Sequence, residues 1–447
     1  MTPPALSAGD TAWLLISAAL VLLMVPGLAL FYGGLVRGKN ALNTFMMSLA
    51  ALGVVTVQWV LVGYSLAFAP GSRWLGGLAW WGLAGVGGAP NATYAATVPH
   101  LAFAVFQAMF AAITVALISG AVVERLRFPA YLLFAIAWTT LVYDPLAHWV
   151  WADGGWLRAL GALDFAGGTV VHVSAGTSAV VAAAVLGRRQ TRGGGSLVPH
   201  NVPYTILGAG LLWFGWFGFN AGSALAANEI AVSAFATTFI AGAAALTAWM
   251  LIDLARTGRA TAVGAATGAV VGLVAITPAA GFVSPRAALA IGAIAAGASY
   301  AAMQLRARTR LDDALDVFAC HGVAGIAGAL LTGVFATKAV NAAGADGWLA
   351  SGSFRPVAVQ ALAVGATMLI AAVFTAGILV AIQKVTVLRA SLADELSGMD
   401  RSQHGEEAYH DGGAGELLGL SGGSLGHSVV VIPSEVPAAS ASSRSAA

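Results

Sequence analysis

The sequence predicts an all-α integral membrane protein of about eleven transmembrane helices, built as an inverted five-plus-five repeat with one extra helix. Three observations carry this. Of the 447 residues, 59% are hydrophobic and only 9% charged, against about 25% charged in an ordinary soluble domain, so lipid is the main solvent of this chain. Apolar runs of roughly 20 residues, the length that crosses a bilayer as a helix, recur up to about residue 385. His172-Val-Ser-Ala-Gly is echoed by His321-Gly-Val-Ala-Gly, each in the fifth span of its half. That is the pattern of two inverted halves that build a pathway at the midplane.

The spans fall near 12–35, 42–69, 100–122, 128–150, 167–187, 203–224, 230–254, 261–280, 287–305, 315–336 and 357–383. The span at 261–280 is dominated by Gly and Ala. The first Lys or Arg is Arg37, so the charged n-region of a signal peptide is missing and the first run reads as a retained span. The 56 glycines suit helices that approach closely in a membrane.

Loop charge sets the orientation. One set of alternate loops holds twelve basic residues: Arg37, Lys39, Arg125, Arg127, Arg188, Arg189, Arg192, Arg256, Arg259, Arg306, Arg308 and Arg310. The other holds five: Arg73, Arg158, Arg286, Lys338 and Arg355. The basic side is expected to be cytoplasmic, which puts the N-terminus outside and the C-terminus inside.

Residues 1–385 therefore form the transmembrane domain. The stretch 386–412 is polar and reads as a cytoplasmic regulatory segment. Residues 413–447 are rich in Gly, Ser and Ala and too poor in apolar surface to offset ordering entropy, so disorder is expected. The Asn91-Ala-Thr93 sequon lies in an outer loop and reads as a chance match.

Several function classes drop out. A net charge of +2 offers no basic patch for nucleic acid. The lone Cys320 excludes an intrachain disulfide and a multi-cysteine metal cluster. No cofactor motif is present, and neither histidine has the second-ligand spacing of a metal helix. No nucleophile or carboxylate pair stands beside the histidines, so an enzyme is not expected.

His172 and His321 carry the chemistry. Ionisable groups inside spans are costly and usually mark a pathway. Desolvation favours the neutral imidazole, and two rings that share a proton can relay one or accept one from a substrate. Asp164 stands just before the His172 helix and reads first as its N-cap. Phe106 and Phe110 lie four residues apart and face one side of their helix. Trp151 sits at the outer end of its span. Trp213, Trp216 and Phe219 precede Asn220-Ala-Gly-Ser223. Aromatic faces and a serine oxygen together suit a small cation, by cation–π attraction and a hydrogen bond. Phe110 and Phe219 then form a dry plug above the histidines.

These segments together resemble the Amt/Mep/Rh ammonium transporter family, and its Amt branch in particular. The matching motifs are Asp164-Phe-Ala-Gly-Gly-Thr-Val-Val-His172, Gly215-Trp-Phe-Gly-Phe-Asn-Ala-Gly-Ser223, Asp316-Val-Phe-Ala-Cys-His321-Gly and Gln403-His-Gly-Glu-Glu-Ala-Tyr409. Phe31-Tyr-Gly-Gly34, Gly120-Ala-Val-Val-Glu-Arg-Leu-Arg-Phe128 and Asn228-Glu229 add to them. The likeness runs from the first span to about residue 410.

The resemblance implies an eleven-span homotrimer in the cell membrane with one narrow pore per subunit. It implies ammonium recruitment by Trp151, Phe106 and Ser223, a gate of Phe110 and Phe219, and a pore lined by His172 and His321. Asp164, Trp216 and Asn220 support these residues. Around Gly405, Glu406 and Tyr409 it implies a cytoplasmic tail that a PII-type regulatory protein contacts. The expected function is deprotonation of recruited ammonium and conduction of ammonia, with or without its proton. The alternative is an ammonium sensor that signals through its tail.

Overall fold

Every predicted span is a helix in the computed structural model, which describes residues 5–190 and 198–409. In chain order the helices are α1 (Ala8–Leu35), α2 (Gly38–Phe68), α3 (His100–Val122), α4 (Phe128–Leu160), α5 (Gly168–Leu186), α6 (Val202–Ala224), α7 (Glu229–Thr257), α8 (Ala262–Ile276), α9 (Pro285–Ala307), α10 (Phe318–Phe335) and α11 (Arg355–Val385). Among the described residues, ten of these are long and apolar enough to cross a membrane. The exception is α8, 15 residues against an expected 20. Thr277-Pro278 stops it, since proline cannot continue a helix, and buried turns carry the chain on to Val283.

Local chemistry sets many of the boundaries. Ser7, Asn228, Thr261 and Ser284 cap α1, α7, α8 and α9, each side chain accepting a first-turn amide that the helix itself leaves unpaired. Gly258 closes α7 at φ 74°, a left-handed conformation that costs glycine little.

Small residues bring the helices together. Along α6, a Cβ added at Gly208 would lie 2.3 Å from Phe31 N, and one at Gly218 would lie 2.8 Å from Ser17 O. The α1 backbone thus rests on a glycine-lined strip of α6, the close approach that replaces hydrophobic driving force in lipid.

The same device joins α5 and α10. A Cβ on Gly176 would lie 2.3 Å from Gly322 N, and one on Gly325 would lie 3.0 Å from Gly168 O. The two histidine helices therefore touch backbone to backbone and run in opposite directions, as the inverted echo requires.

Both begin alike. His172 sits in a π-helical turn over Gly168–Val173, and His321 in another over Phe318–Val323. Such turns displace a side chain from the regular helical register and recur at functional sites.

Two regions outside the spans have structure of their own. Between α2 and α3 a small antiparallel hairpin pairs β1 (Pro90–Asn91) with β2 (Ala95–Pro99). Asn91 Oδ1 accepts the amides of Thr93 (3.0 Å) and Tyr94 (3.3 Å), so the sequon is an Asx turn.

On the basic face, residues 386–408 fold back over the inter-helix loops, with short helices α12 (Leu392–Ser397) and α13 (Met399–His404). Tyr409 is exposed. The expected low-complexity stretch 413–447 lies outside the described residues.

Candidate functional site

Three cavities follow one another through the bundle: the middle and inner ones share Phe31 and His321, and the Phe110–Phe219 stack joins the wall of the outer one to that of the middle one. The outer one, ≈190 Å³, is lined by Trp151, Ser223, Phe110, Phe103, Gln107 and Arg158, among others. The middle one is only ≈10 Å³, with His172, His321, Trp216 and Phe219 in its wall. The inner one, ≈170 Å³, also touches His321, together with Asp316, Cys320 and Thr267.

Trp151 stands at the end of the membrane segment of α4, and its Nε1 donates to Asp164 O at 2.9 Å. Ser223 lies in the last turn of α6. Its hydroxyl donates to Phe219 O at 2.8 Å, which leaves the oxygen lone pairs available to accept. Phe106 is fully buried beside Phe110, ring centroids 4.9 Å apart, and next to Gly222, and Phe103, three residues earlier, lines the cavity.

Phe110 and Phe219 stack at 4.2 Å and 26° between the outer and middle cavities. Both are buried, and Trp151 stands at 90° to Phe110, 6.1 Å away. Beneath them the His172 ring lies 5.5 Å from Trp216 and 6.1 Å from Phe219.

The two imidazoles stack at 5.4 Å and 23°, with Nδ1 to Nδ1 at 3.3 Å. This contact fixes their relative protonation. One Nδ1 must carry the hydrogen and the other must accept it, so the rings hold opposite tautomers. His172 Nε2 is buried without a protein partner.

The supporting residues order this geometry. Asp164 accepts the amides of Gly167 (2.8 Å), Gly168 (2.5 Å), Thr169 (2.9 Å) and Val170 (3.1 Å), and the Thr169 hydroxyl. It is a saturated cap on the π turn that carries His172. Trp216 Nε1 donates to Thr277 Oγ1 at 2.9 Å, which holds its ring against His172. Asn220 ties α6 to α7 through Thr238 Oγ1 at 2.9 Å.

Sequence reasoning missed several residues. Phe103, Gln107, Tyr94 and Arg158 line the outer cavity. On the opposite side Asp313 Oδ2 accepts Phe318 N at 2.8 Å, capping α10 as Asp164 caps α5. The signal was available: Asp164 precedes His172 by eight residues, and Asp313 precedes His321 by eight. An acid inside α4 was also passed over. Asp144 is fully buried and accepts Gln58 Nε2 at 2.7 Å.

The tail residues 386–408 dock through a dense polar network. Glu124, buried between α3 and α4, accepts from Arg37 Nε and Nη2 (both 3.0 Å), Asn40 Nδ2 (2.8 Å) and Arg189 Nη1 (2.7 Å). Burial alone would raise its carboxyl, but the Arg37 and Arg189 contacts outweigh it and hold it below its ordinary value. Arg189 also grips Asp312 through Nε and Nη2. From the tail, Glu395 accepts Arg389 Nη2 and Gln190 N, both at 2.7 Å. Asp400 accepts Leu42 N (3.0 Å) and Asn43 N (2.7 Å). Gly405 turns the chain at φ 69° after α13, and Glu406 is exposed.

The profile of the Ammonium Transporter Family matches residues 12–409. A Bacillus subtilis protein named ammonium transporter is 49% identical over 404 residues, 90% of this chain and 99% of that one. The crystal structure of Saccharomyces cerevisiae Mep2 aligns with a TM-score of 0.81 at 37% identity, covering 87% of this chain and 91% of that one. A structure titled Sensor Amt Protein aligns with a TM-score of 0.80 at 28% identity, covering 89% of this chain and 98% of that one.

Proposed function

The chain belongs to the Ammonium Transporter Family and is a multi-pass membrane protein, and on that premise we propose how it moves its substrate. Ammonium is recruited in the outer cavity against Trp151, Phe110 and Ser223, with Phe106 supporting Phe110 from behind. It gives up its proton at the Phe110–Phe219 stack. Ammonia passes along His172 and His321 to the inner cavity. Asp164, Trp216 and Asn220 hold the helices that present these groups.

One observation carries the reading. Two imidazoles in opposite tautomers, Nδ1 to Nδ1 at 3.3 Å, supply the only ring nitrogens with a lone pair among the residues lining a ≈10 Å³ apolar constriction that the stacked phenylalanines separate from the outer cavity. Dehydrating an ion into such a space is prohibitive. A proton donor avoids the penalty by leaving its charge behind, and the histidine nitrogens then bond what remains. The proton either follows along the imidazole pair or returns to the outer side.

The test is ammonium transport in proteoliposomes, read as internal ammonium and as current on a solid-supported membrane. Uptake with current places the proton on the histidine route; uptake without current places its return outside. The double variant His172→Leu, His321→Leu should lose selective transport. Retained uptake with retained exclusion of potassium would sink the histidine mechanism.

Positive-inside orientation, trimeric assembly and contact of a PII-type protein with the tail near Gly405, Glu406 and Tyr409 belong to the same proposal. The assembly has apolar surface to use, since α7 exposes Val232, Phe235 and Phe239.

A second reading, sensing, is favoured by the likeness to the structure titled Sensor Amt Protein. Tight ammonium binding to the purified protein without flux in the same proteoliposomes would replace transport by sensing.

A further inference from the structure

The outer cavity holds a cation of its own. Arg158 lines it together with Trp151, Phe110 and Ser223. Its side chain is exposed, and its Nη1 donates to the backbone oxygen of Trp151. The guanidinium is thereby fastened to the residue whose ring forms the cavity wall. Among the described residues no carboxylate forms an ion pair with it, although seven other ion pairs are present. Asp153, five positions away, engages Tyr94 Oη through its amide and makes no pair with Arg158. The role of holding the Trp151 oxygen needs a donor, but it does not need a charge.

We propose that Arg158 is a charge-selective element of the outer cavity, setting the concentration at which ammonium loads by repelling cations from the Trp151–Phe110–Ser223 site. A cleft carrying one sign of charge lowers the local concentration of like-charged solutes. Ammonium and alkali cations feel the repulsion equally, divalent cations feel it twice over, and uncharged ammonia does not feel it. The charge acts on loading and leaves the steps past the phenylalanine gate untouched. It therefore moves the half-saturation of uptake and spares the maximal rate. Over roughly 6–8 Å of wet cavity, Coulomb's law gives about a two- to fourfold effect on local ammonium. The effect fades as the Debye length falls from about 30 Å at 0.01 M salt to about 3 Å at 1 M.

The inference rests on the outer cavity being the recruitment site. The test measures initial ammonium uptake by the full chain in proteoliposomes, across ammonium concentration, in about 10 mM and about 1 M choline chloride. Arg158→Gln keeps a donor for the Trp151 oxygen and removes the charge; Arg158→Lys keeps the charge. In low salt, Arg158→Gln should lower the half-saturation about two- to fourfold at an unchanged maximal rate, as the Coulomb figure requires. Arg158→Lys should match the parent, and all three should converge in high salt. The proposal is overturned if Arg158→Gln matches the parent in low salt, if its shift persists in high salt, or if Arg158→Lys behaves like Arg158→Gln. Trp151→Leu separates the two readings. A half-saturation unmoved by that change removes the recruitment site and this inference together. A moved one, beside an unmoved Arg158→Gln, removes this inference alone.

Discussion

Replacing Gly176 by alanine adds one methyl group where α5 crosses α10. The new carbon would sit 2.3 Å from Gly322 N and 2.4 Å from Gly322 Cα. Neither atom can swing aside, because both belong to backbone in the π turn that carries His321. Ordinary contact begins near 3.4 Å, so the helices must part by roughly 1 Å, an overpacking that costs about 1–3 kcal/mol. Glycine to alanine in an unobstructed helix works the other way, stabilising by about 0.5–1 kcal/mol. Gly210, in α6, has nothing within 4 Å of its added Cβ and supplies that control. Parting the helices stretches the 3.3 Å Nδ1–Nδ1 contact beyond hydrogen-bond reach. A misplacement of about 1 Å at a reacting centre can cost about a hundredfold in rate. Thermal unfolding in detergent and initial uptake in proteoliposomes read the two effects separately. Gly210→Ala should match or exceed the parent in melting temperature, while Gly176→Ala should melt lower and transport at least tenfold more slowly. Uptake by Gly176→Ala within twofold of the parent would refute the claim that this contact sets the histidine geometry.

Glu124→Gln should destabilise the fold and loosen the tail. Removing one partner of a buried pair costs about 3–5 kcal/mol, and the low end is expected because Arg189 keeps Asp312; limited proteolysis after residue 385 reads the tail. Because the Glu124 carboxyl is held below its ordinary 4.5, its contribution is complete above that pH and is lost as pH falls through the lower folded value. The acid limb of the parent's melting curve should therefore flatten in Glu124→Gln. Asp313 runs in the opposite sense. Burial first, then Asp316, push its carboxyl up to about 6, so the folded protein holds this proton more tightly than the unfolded chain. Its contribution is complete below the ordinary 3.8 and declines as pH rises through about 6. Asp313→Asn should remove an inflection near that pH from the stability profile. Trp216→Phe loses the hydroxyl bond to Thr277 and should cost about 1 kcal/mol, with uptake falling further than stability as the ring beside His172 loosens.

Spans and histidines were legible because lipid imposes one-dimensional rules. Twenty apolar residues must form a helix, and an ionisable group within them must have a reason. That is why α3 was predicted to the residue and His172 and His321 stood out. Side-chain direction was not legible, because it depends on where one helix lies against another. Phe106 and Phe110 share a helix face by spacing, yet Phe106 packs beside Gly222 and Phe110, while Phe103 joins the cavity lining. The end of α8 was overdrawn for a similar reason. Ala-Ile-Thr-Pro-Ala-Ala-Gly reads as apolar throughout, and only the packing of Pro278 against Gly168 shows that these residues turn. The docked tail was hidden most deeply. Its contacts run from Glu395 to Gln190 and from Asp400 to Asn43, across separations of 205 and 357 residues, and no local pattern announces them.

On the proposed mechanism, the chemistry of the constriction would hold potassium back without a size filter. A potassium ion is passed between oxygen ligands that replace its water shell. The walls here are Met24, Leu28, Phe31, Ile113, Leu117, Val171, Leu212, Phe219 and Val270, with Trp216 and the two histidines as the only polar side chains. The Trp216 N–H is a donor and is already committed to Thr277. The remaining polar atoms are imidazole nitrogens, one of them, His172 Nε2, unpartnered. A nitrogen lone pair is a poor ligand for a hard alkali cation and a good acceptor for N–H; the N–H of the other tautomer is a good donor to an ammonia lone pair. The opposite tautomers of His172 and His321 therefore offer both functions within one step of each other. Any substitution that keeps the space but removes this pairing should abolish conduction of ammonia before it admits potassium. His172→Asp should do the reverse, since a carboxylate supplies the oxygen the ion lacks. Potassium-evoked current through His172→Asp, absent from the parent, is the outcome this argument requires.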